Sequence, residues 1–321
     1  MTARQPLTPT QADRAAGVLL AQACGDALGA GTEFQPTPLP ASAPIAMTGG
    51  GPYNWAPGEW TDDTQMSIVI LQAAEIAQAN QGTLLDYLDD IVIGWLTWAE
   101  TAKDVGTQTR AVFKQGARTA ADLVNAAAAV HHRHGRSAGN GSLMRTAPVA
   151  LALLGDSHGT AQAARAISDL THHDPHAGDA CVLWCAAIQY AITHAEFNLI
   201  AGLPLLPAER RDYWRVCIEE AETSDATTFV NNGWVVHALQ AAWSLITRTP
   251  AQEPTQHLAT ALEGAARLAN DTDTVGAIAG ALLGARWGAP AVPEHWQRIV
   301  HGWPGLTGAD LARRGLALTQ A

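Results

Sequence analysis

The amino-acid sequence predicts an all-α fold, and three observations carry that prediction. Apolar residues recur at the three- and four-residue spacing of helices, the chain is rich in alanine with few β-branched runs, and glycine gathers at segment ends. At 321 residues there is room for one large domain or two, and no break in composition forces a division. Apolar residues make up 47%, enough for a sizeable core, while charged residues at 15% are too few for a disordered chain. A formal charge of -11 excludes a broad basic face for nucleic-acid phosphates, though not a local pocket for one small anion. The N-terminus does not resemble a signal peptide and no stretch is long and apolar enough to span a membrane, so a cytoplasmic protein is expected. Cys24, Cys181, Cys185 and Cys217 read as buried free thiols.

The first helix is expected over 14–28, capped by Thr10 or its neighbours and ended by Gly29-Ala30-Gly31. Asp26 inside it reads as a structural group bonded to backbone donors, and Glu33 follows the glycines on a turn. Pro and Gly make 36–57 a loop. Gly58-Glu59-Trp60-Thr61-Asp62-Asp63-Thr64 then opens a helix over 66–80. A helix over 84–101 carries Tyr87, Ile91, Trp95 and Trp98 at core spacing. Asp104, in Lys103-Asp104-Val105-Gly106, reads as a cap for the next helix.

His131, His132, Arg133, His134 and Arg136 form a basic patch read as a polar loop. Gly139-Asn140-Gly141-Ser142 runs into a helix from 143, and glycines at such a place bring bare N–H groups toward an anion. Thr171-His172-His173-Asp174-Pro175 starts the helix that holds Cys181 and Cys185. Helices over 208–222, 235–246 and 255–268 follow, with Glu219 and Glu222 on a solvated face. Asn270-Asp271-Thr272-Asp273-Thr274 opens another apolar run from 275, and 293–321 reads as a helical tail.

Two clusters of Asp and Thr, about two hundred residues apart, therefore each begin a helix. Asp and Thr are ordinary N-caps, but each cluster holds more acidic groups than a cap requires. Neighbouring carboxylates at a buried helix start need positive charge, and oxygen-only donors favour Mg2+ or Mn2+ over Zn2+. A zinc site from His172, His173 and His176 has no supporting ligand set.

The ordered motifs Gly25-Asp26-Ala27-Leu28-Gly29, Gly58 to Thr64, Gly139-Asn140-Gly141-Ser142-Leu143-Met144-Arg145 and Asp271-Thr272-Asp273-Thr274 resemble the ADP-ribosylglycohydrolase family, most closely its dinitrogenase-reductase-activating branch. The resemblance covers about 13–287, leaving 288–321 as a tail. It implies a single compact orthogonal multi-helix domain over 1–321. It also implies a centre of two Mg2+ or Mn2+ ions, held by Thr61, Asp62, Asp63, Asp271, Asp273 and Thr274. The expected activity is hydrolysis of the N-glycosidic bond between ADP-ribose and a protein arginine, with an ADP-ribosylated protein or small molecule as substrate and ADP-ribose as product.

By the same resemblance Glu33 touches the metal centre and its water, and Asp104 meets the scissile end of the substrate. Gly106 admits the ribose, the stretch Gly139, Asn140, Gly141 and Ser142 cradles diphosphate and ribose, and His172 lies near the nucleotide. The sequence departs from the family pattern at Ala269-Asn270, where two glycines are usual. Three other readings stay open: an ADP-ribose-binding protein without turnover, a hydrolase for serine, nucleobase or O-acetyl linkages, and a two-metal phosphohydrolase acting on the diphosphate.

Overall fold

The computed structural model describes residues 6–320, and their architecture follows from a pair of helices that touch backbone to backbone. Helix α1 (Pro9–Gly29) starts at a capping box: Thr8 accepts from the Gln11 N–H, and the Gln11 side chain accepts from the Thr8 N–H. The helix begins earlier than the apolar pattern suggests, because proline at its first position costs no hydrogen bond. Its residues from Gly17 to Gly29 are all buried, so it runs through the middle of the core.

Its partner is α12 (Thr272–Trp287), lying antiparallel to it. Gly17, Ala21, Gly25 and Gly29 recur every four residues and so line one face, as do Gly276, Gly280 and Gly284 on the other helix. A methyl group on Gly25 would sit 2.0 Å from the Gly276 carbonyl, and one on Gly284 would sit 2.1 Å from that of Gly17. Glycine is required along this seam by contact, not by backbone angle. At its end Gly29 packs against the backbone of Asp273, which fixes where α12 begins relative to α1.

The remaining helices are α2 (Asp62–Ala79), α3 (Leu88–Ala99), α4 (Thr107–Phe113), α5 (Ala120–His134), α6 (Ala147–Ala152), α7 (Ser157–Asp169), α8 (Pro175–His194), α9 (Ala208–Thr223), α10 (Val235–Arg248), α11 (Pro254–Ala266), α13 (Glu294–Ile299) and α14 (Gly308–Ala317). Tryptophans lock several of them together. Trp95 and Trp98 of α3 donate to Met66 O and Gln65 Oε1 of α2, and Trp184 of α8 donates to Ile278 O of α12. Asp179, fully buried on α8, is neutralised by Arg165 of α7 and Arg210 of α9, and Trp214 donates to it.

Several local expectations are corrected. The first cap is Thr8, not Thr10. The helix expected over 84–101 is a 3-10 turn, Leu84–Tyr87, followed by α3. His131 to His134 form the last turn of α5, not a loop, because Gly135 at φ 69 ends that helix only after them. Asn140–Ser142 is a 3-10 turn and α6 starts at Ala147, so no long helix leaves the glycine turn.

The C-terminal stretch is more than a helical tail. Between α13 and α14 a hairpin pairs β1 (His301–Gly302) with β2 (Leu306–Thr307). His301 O accepts from Trp60 N at 3.0 Å, Trp303 O accepts from the Trp60 indole, and Arg314 of α14 pairs with Glu75 of α2. This region therefore holds the segment that leads into Thr61. Among the described residues no helix is long and apolar enough to cross a membrane.

Candidate metal centre and substrate face

The starts of α2 and α12 meet at the C-terminal end of α1. Asp26, one turn before that end, caps α2 from outside: it accepts from Thr61 N at 2.9 Å, Thr64 N at 3.0 Å and the Thr64 hydroxyl at 2.6 Å. Burial raises the Asp26 pKa to about 6 against the pull of these bonds. A carboxylate oxygen of Asp26 lies within 4.8 Å of those of Asp63 and Asp273, yet both its oxygens are committed to the cap. The structural reading of Asp26 from sequence agrees with this arrangement.

Two sets of carboxylates share Asp273: one with Asp63 and Asp26, the other with Glu33 and Asp271. Burial first, then the neighbouring negative charges, holds Asp62, Asp63 and Asp273 well above the usual carboxylate range. Glu33 is pushed up to about 10 by burial and by Asp271, Asp62 and Asp104. Among the described residues no lysine or arginine forms an ion pair with Asp26, Glu33, Asp62, Asp63, Asp271 or Asp273. Glu33 Oε2 and Asp63 Oδ1 are buried with no hydrogen-bond partner among the described residues. Buried acceptors without donors, all oxygen and all anionic when ionised, fit hard divalent cations.

Thr61 donates its hydroxyl to Asp63 Oδ2 at 3.0 Å, and Thr274 N donates to Asp273 Oδ1 at 2.9 Å, so each threonine braces the acid beside it. Asp271 is fixed from the other side. Asn140 Nδ2 donates to its Oδ2 at 2.8 Å, and Asn232 Oδ1 accepts from its N–H at 3.1 Å. Asn140 also donates to Asn232 O, so its amide orients one acid of this cluster. The departure at Ala269-Asn270 is absorbed by Asn270 alone, which takes the left-handed conformation at φ 64. Asn270 O accepts from Phe34 N and Asn270 N donates to Gln35 O, tying this turn to the segment that carries Glu33.

Asp104 does not cap α4, whose N-cap is Gly106 without a side-chain bond. Its buried carboxyl instead faces the Tyr53 hydroxyl, and its pKa is raised by burial against the pull of Tyr53 and Arg110. A methyl on Gly106 would meet nothing within 4 Å, so this glycine borders open space. His172 lies with its ring edge against the turn, where methyl groups on Gly139 or Gly141 would come within 3.3 Å of its Nε2. Ser142 is turned away, accepting from Cys181 Sγ on α8. The acidic centre, Asp104 and this turn are thus gathered around one region.

Sequence reasoning missed four contributors. Tyr53 sits in a loop with no pattern to read, and Asn232 looked like an ordinary turn residue. Thr171 and Arg145 lie within quoted motifs, but their partners come from distant segments.

An all-α fold that brings two acidic helix starts together beside a glycine turn defines the class, and the chain belongs to the ADP-ribosylglycohydrolase family, whose model matches residues 7–321. The match thus runs through the C-terminal stretch that the motifs do not reach. The chain is 31% identical to ADP-ribosylarginine hydrolase Tri1 of Pseudomonas putida (strain GB-1) over 299 residues, 90% of this chain and 75% of that protein. It is 28% identical to ADP-ribosyl-[dinitrogen reductase] glycohydrolase of Rhodospirillum rubrum, covering 90% of each. A solved structure titled ADP-ribosylglycohydrolase-related protein complex superposes with a TM-score of 0.72 at 27% identity, over 98% of this chain and 99% of that one.

Proposed function

We propose that the chain hydrolyses the N-glycosidic bond between ADP-ribose and a protein arginine, with two Mg2+ or Mn2+ ions as cofactor. The observation that supports this best is the meeting of Glu33, Asp63, Asp271 and Asp273 in one centre whose charge the chain leaves unbalanced, with Asp62 near enough for its charge to act on Glu33. The relatives point to the linkage, since one of them is named an ADP-ribosylarginine hydrolase. When bound, hard cations supply positive charge that holds ribose hydroxyls and acidifies a water.

In this reading Asp62, Asp63, Asp271 and Asp273 hold the ions, with Thr61 and Thr274 at the two helix starts. Glu33 orients the attacking water and accepts its proton, while Asp104 pairs with the guanidinium and relays the proton taken by Glu33 to the departing nitrogen. The C1″–N bond breaks as the water oxygen joins C1″, and the surrounding carboxylates stabilise the positive charge that develops on the sugar ring. Gly106 leaves room for the ribose, and Gly139, Asn140, Gly141 and His172 form the diphosphate side, with the Ser142 side chain turned away from it toward Cys181.

The test is incubation of an ADP-ribosyl-arginine protein with the purified chain and Mg2+ or Mn2+. Intact ADP-ribose and unmodified arginine are expected. AMP and ribose phosphate mean diphosphate cleavage instead, and tight ADP-ribose binding without release means a binding protein. Serine, nucleobase and O-acetyl adducts assayed in parallel decide the linkage.

A further inference from the structure

Arg145 is fully buried and makes no ion pair among the described residues. Its guanidinium lies 4.0 Å from the centre of the Trp95 ring, and Nη1 approaches Met66 Sδ at 3.5 Å. Its one strong hydrogen bond runs from Nη2 to the Thr171 hydroxyl at 2.7 Å. The same hydroxyl lies 2.7 Å from His172 Nδ1. All three side chains are at most 1% exposed, so water cannot rearrange the chain of bonds.

The direction of those bonds follows from what each group can do. Arginine only donates, so Thr171 Oγ1 accepts from it and still has its own proton to place. The acceptor in reach is His172 Nδ1. Burial, then the Arg145 charge, pushes the His172 pKa well below its usual value, so the ring is neutral and carries one proton. With Nδ1 accepting, that proton sits on Nε2, the atom against Gly139 and Gly141.

We propose that Arg145, acting through Thr171, is a positioning residue that sets the tautomer of His172, so that Nε2–H is presented as a donor to a phosphate oxygen of the ADP-ribosyl group. This rests on the proposed function for the ligand and on geometry alone for the tautomer. The opposite tautomer would turn a lone pair toward the anion and would leave the Thr171 proton buried without an acceptor. In this arrangement the guanidinium acts on His172 only through the Thr171 hydroxyl.

Two-bond 1H–15N spectra of the 15N-labelled full chain, with the His172 signals identified by their loss in His172→Gln, read the tautomer directly. The expected pattern is a protonated Nε2 and an unprotonated Nδ1. Thr171→Val should lose that pattern and bind ADP-ribose about tenfold more weakly in Mg2+ calorimetry, while Thr171→Ser retains both. A protonated Nδ1 in the unmodified protein overturns the inference, even if Thr171→Val does not fold. So does a Thr171→Val variant that binds ADP-ribose as tightly as the unmodified chain. If the unmodified chain binds no ADP-ribose while its spectrum shows Nε2–H, the proposed function and the ligand half of the inference fall, and the tautomer assignment stands.

Discussion

Asp26 on α1 accepts both the backbone N–H and the hydroxyl of Thr64 on α2, at 3.0 and 2.6 Å, so one helix of the fold caps another. Asn at this position keeps one acceptor but turns an NH2 group toward donors. Asp26→Asn is expected to lower stability by about 3 kcal/mol in urea unfolding, the scale of losing charge-assisted bonds to buried donors. It should also weaken Mg2+ binding at least about tenfold by displacing Asp62 and Asp63. Weakened metal binding at unchanged stability would make Asp26 a ligand instead of a cap.

The unbalanced carboxylates give the metal-free chain a definite pH response. Glu33 rises from its ordinary 4.5 to about 10, and Asp62, Asp63 and Asp273 are raised as well. The folded state then binds more protons than the unfolded state between those limits, so stability falls as pH rises. It is greatest below the unfolded value and is lost progressively as pH climbs toward about 10. Thermal melts in a chelator are expected to drop steadily from pH 5 to pH 9. Adding Mg2+ should raise the melting temperature most at the alkaline end, where the ionised carboxylates bind it best. A chelated protein whose melting temperature rises over this range would contradict the arrangement.

Two glycines separate the roles of close packing and open space. Gly25→Ala places a methyl 2.0 Å from Gly276 O, which forces α1 and α12 apart and moves both acidic helix starts. A loss of at least about 3 kcal/mol is expected, read as a lowered urea midpoint or insoluble protein. Gly106→Ala meets nothing and its φ of -48 suits alanine, so stability should change by less than about 0.5 kcal/mol. Its KM for an ADP-ribosylated substrate should rise, because the methyl enters the space proposed for the ribose.

The helical class was legible because residues near one another in sequence decide it, and so were the two acidic clusters, each marked by its own composition. What sequence could not supply were pairings across long separations. Asn140 reads as part of a glycine turn, and its bond to Asp271 spans 131 positions. Tyr53 lies in a loop whose contact with Asp104 depends on how that loop folds back. The glycine seam was present in the motif Gly25-Asp26-Ala27-Leu28-Gly29, but its meaning appears only beside Gly276, Gly280 and Gly284. His131 to His134 misled because charged residues after an alanine run suit a loop and a helix C-terminus equally. Only Gly135 in its left-handed conformation decides between them.

Asp104 and Asp273 should fail in different ways. Asp273 belongs to both close groups of carboxylates, whereas Asp104 belongs to neither and faces Tyr53 and Arg110. Asp273→Asn is expected to abolish measurable Mg2+ and Mn2+ binding by calorimetry, and activity with it. Asp104→Asn removes the group that returns the proton, so kcat should fall by about 100-fold or more while metal affinity stays near that of the unmodified chain. Tyr53→Phe deletes only the hydroxyl that faces Asp104, so a smaller loss is expected, about tenfold in kcat, again with metal affinity unchanged. If Asp104→Asn lost metal as completely as Asp273→Asn, Asp104 would have to be counted among the ligands. The proton to the departing guanidine would then have to come from elsewhere, leaving Glu33 as the remaining candidate.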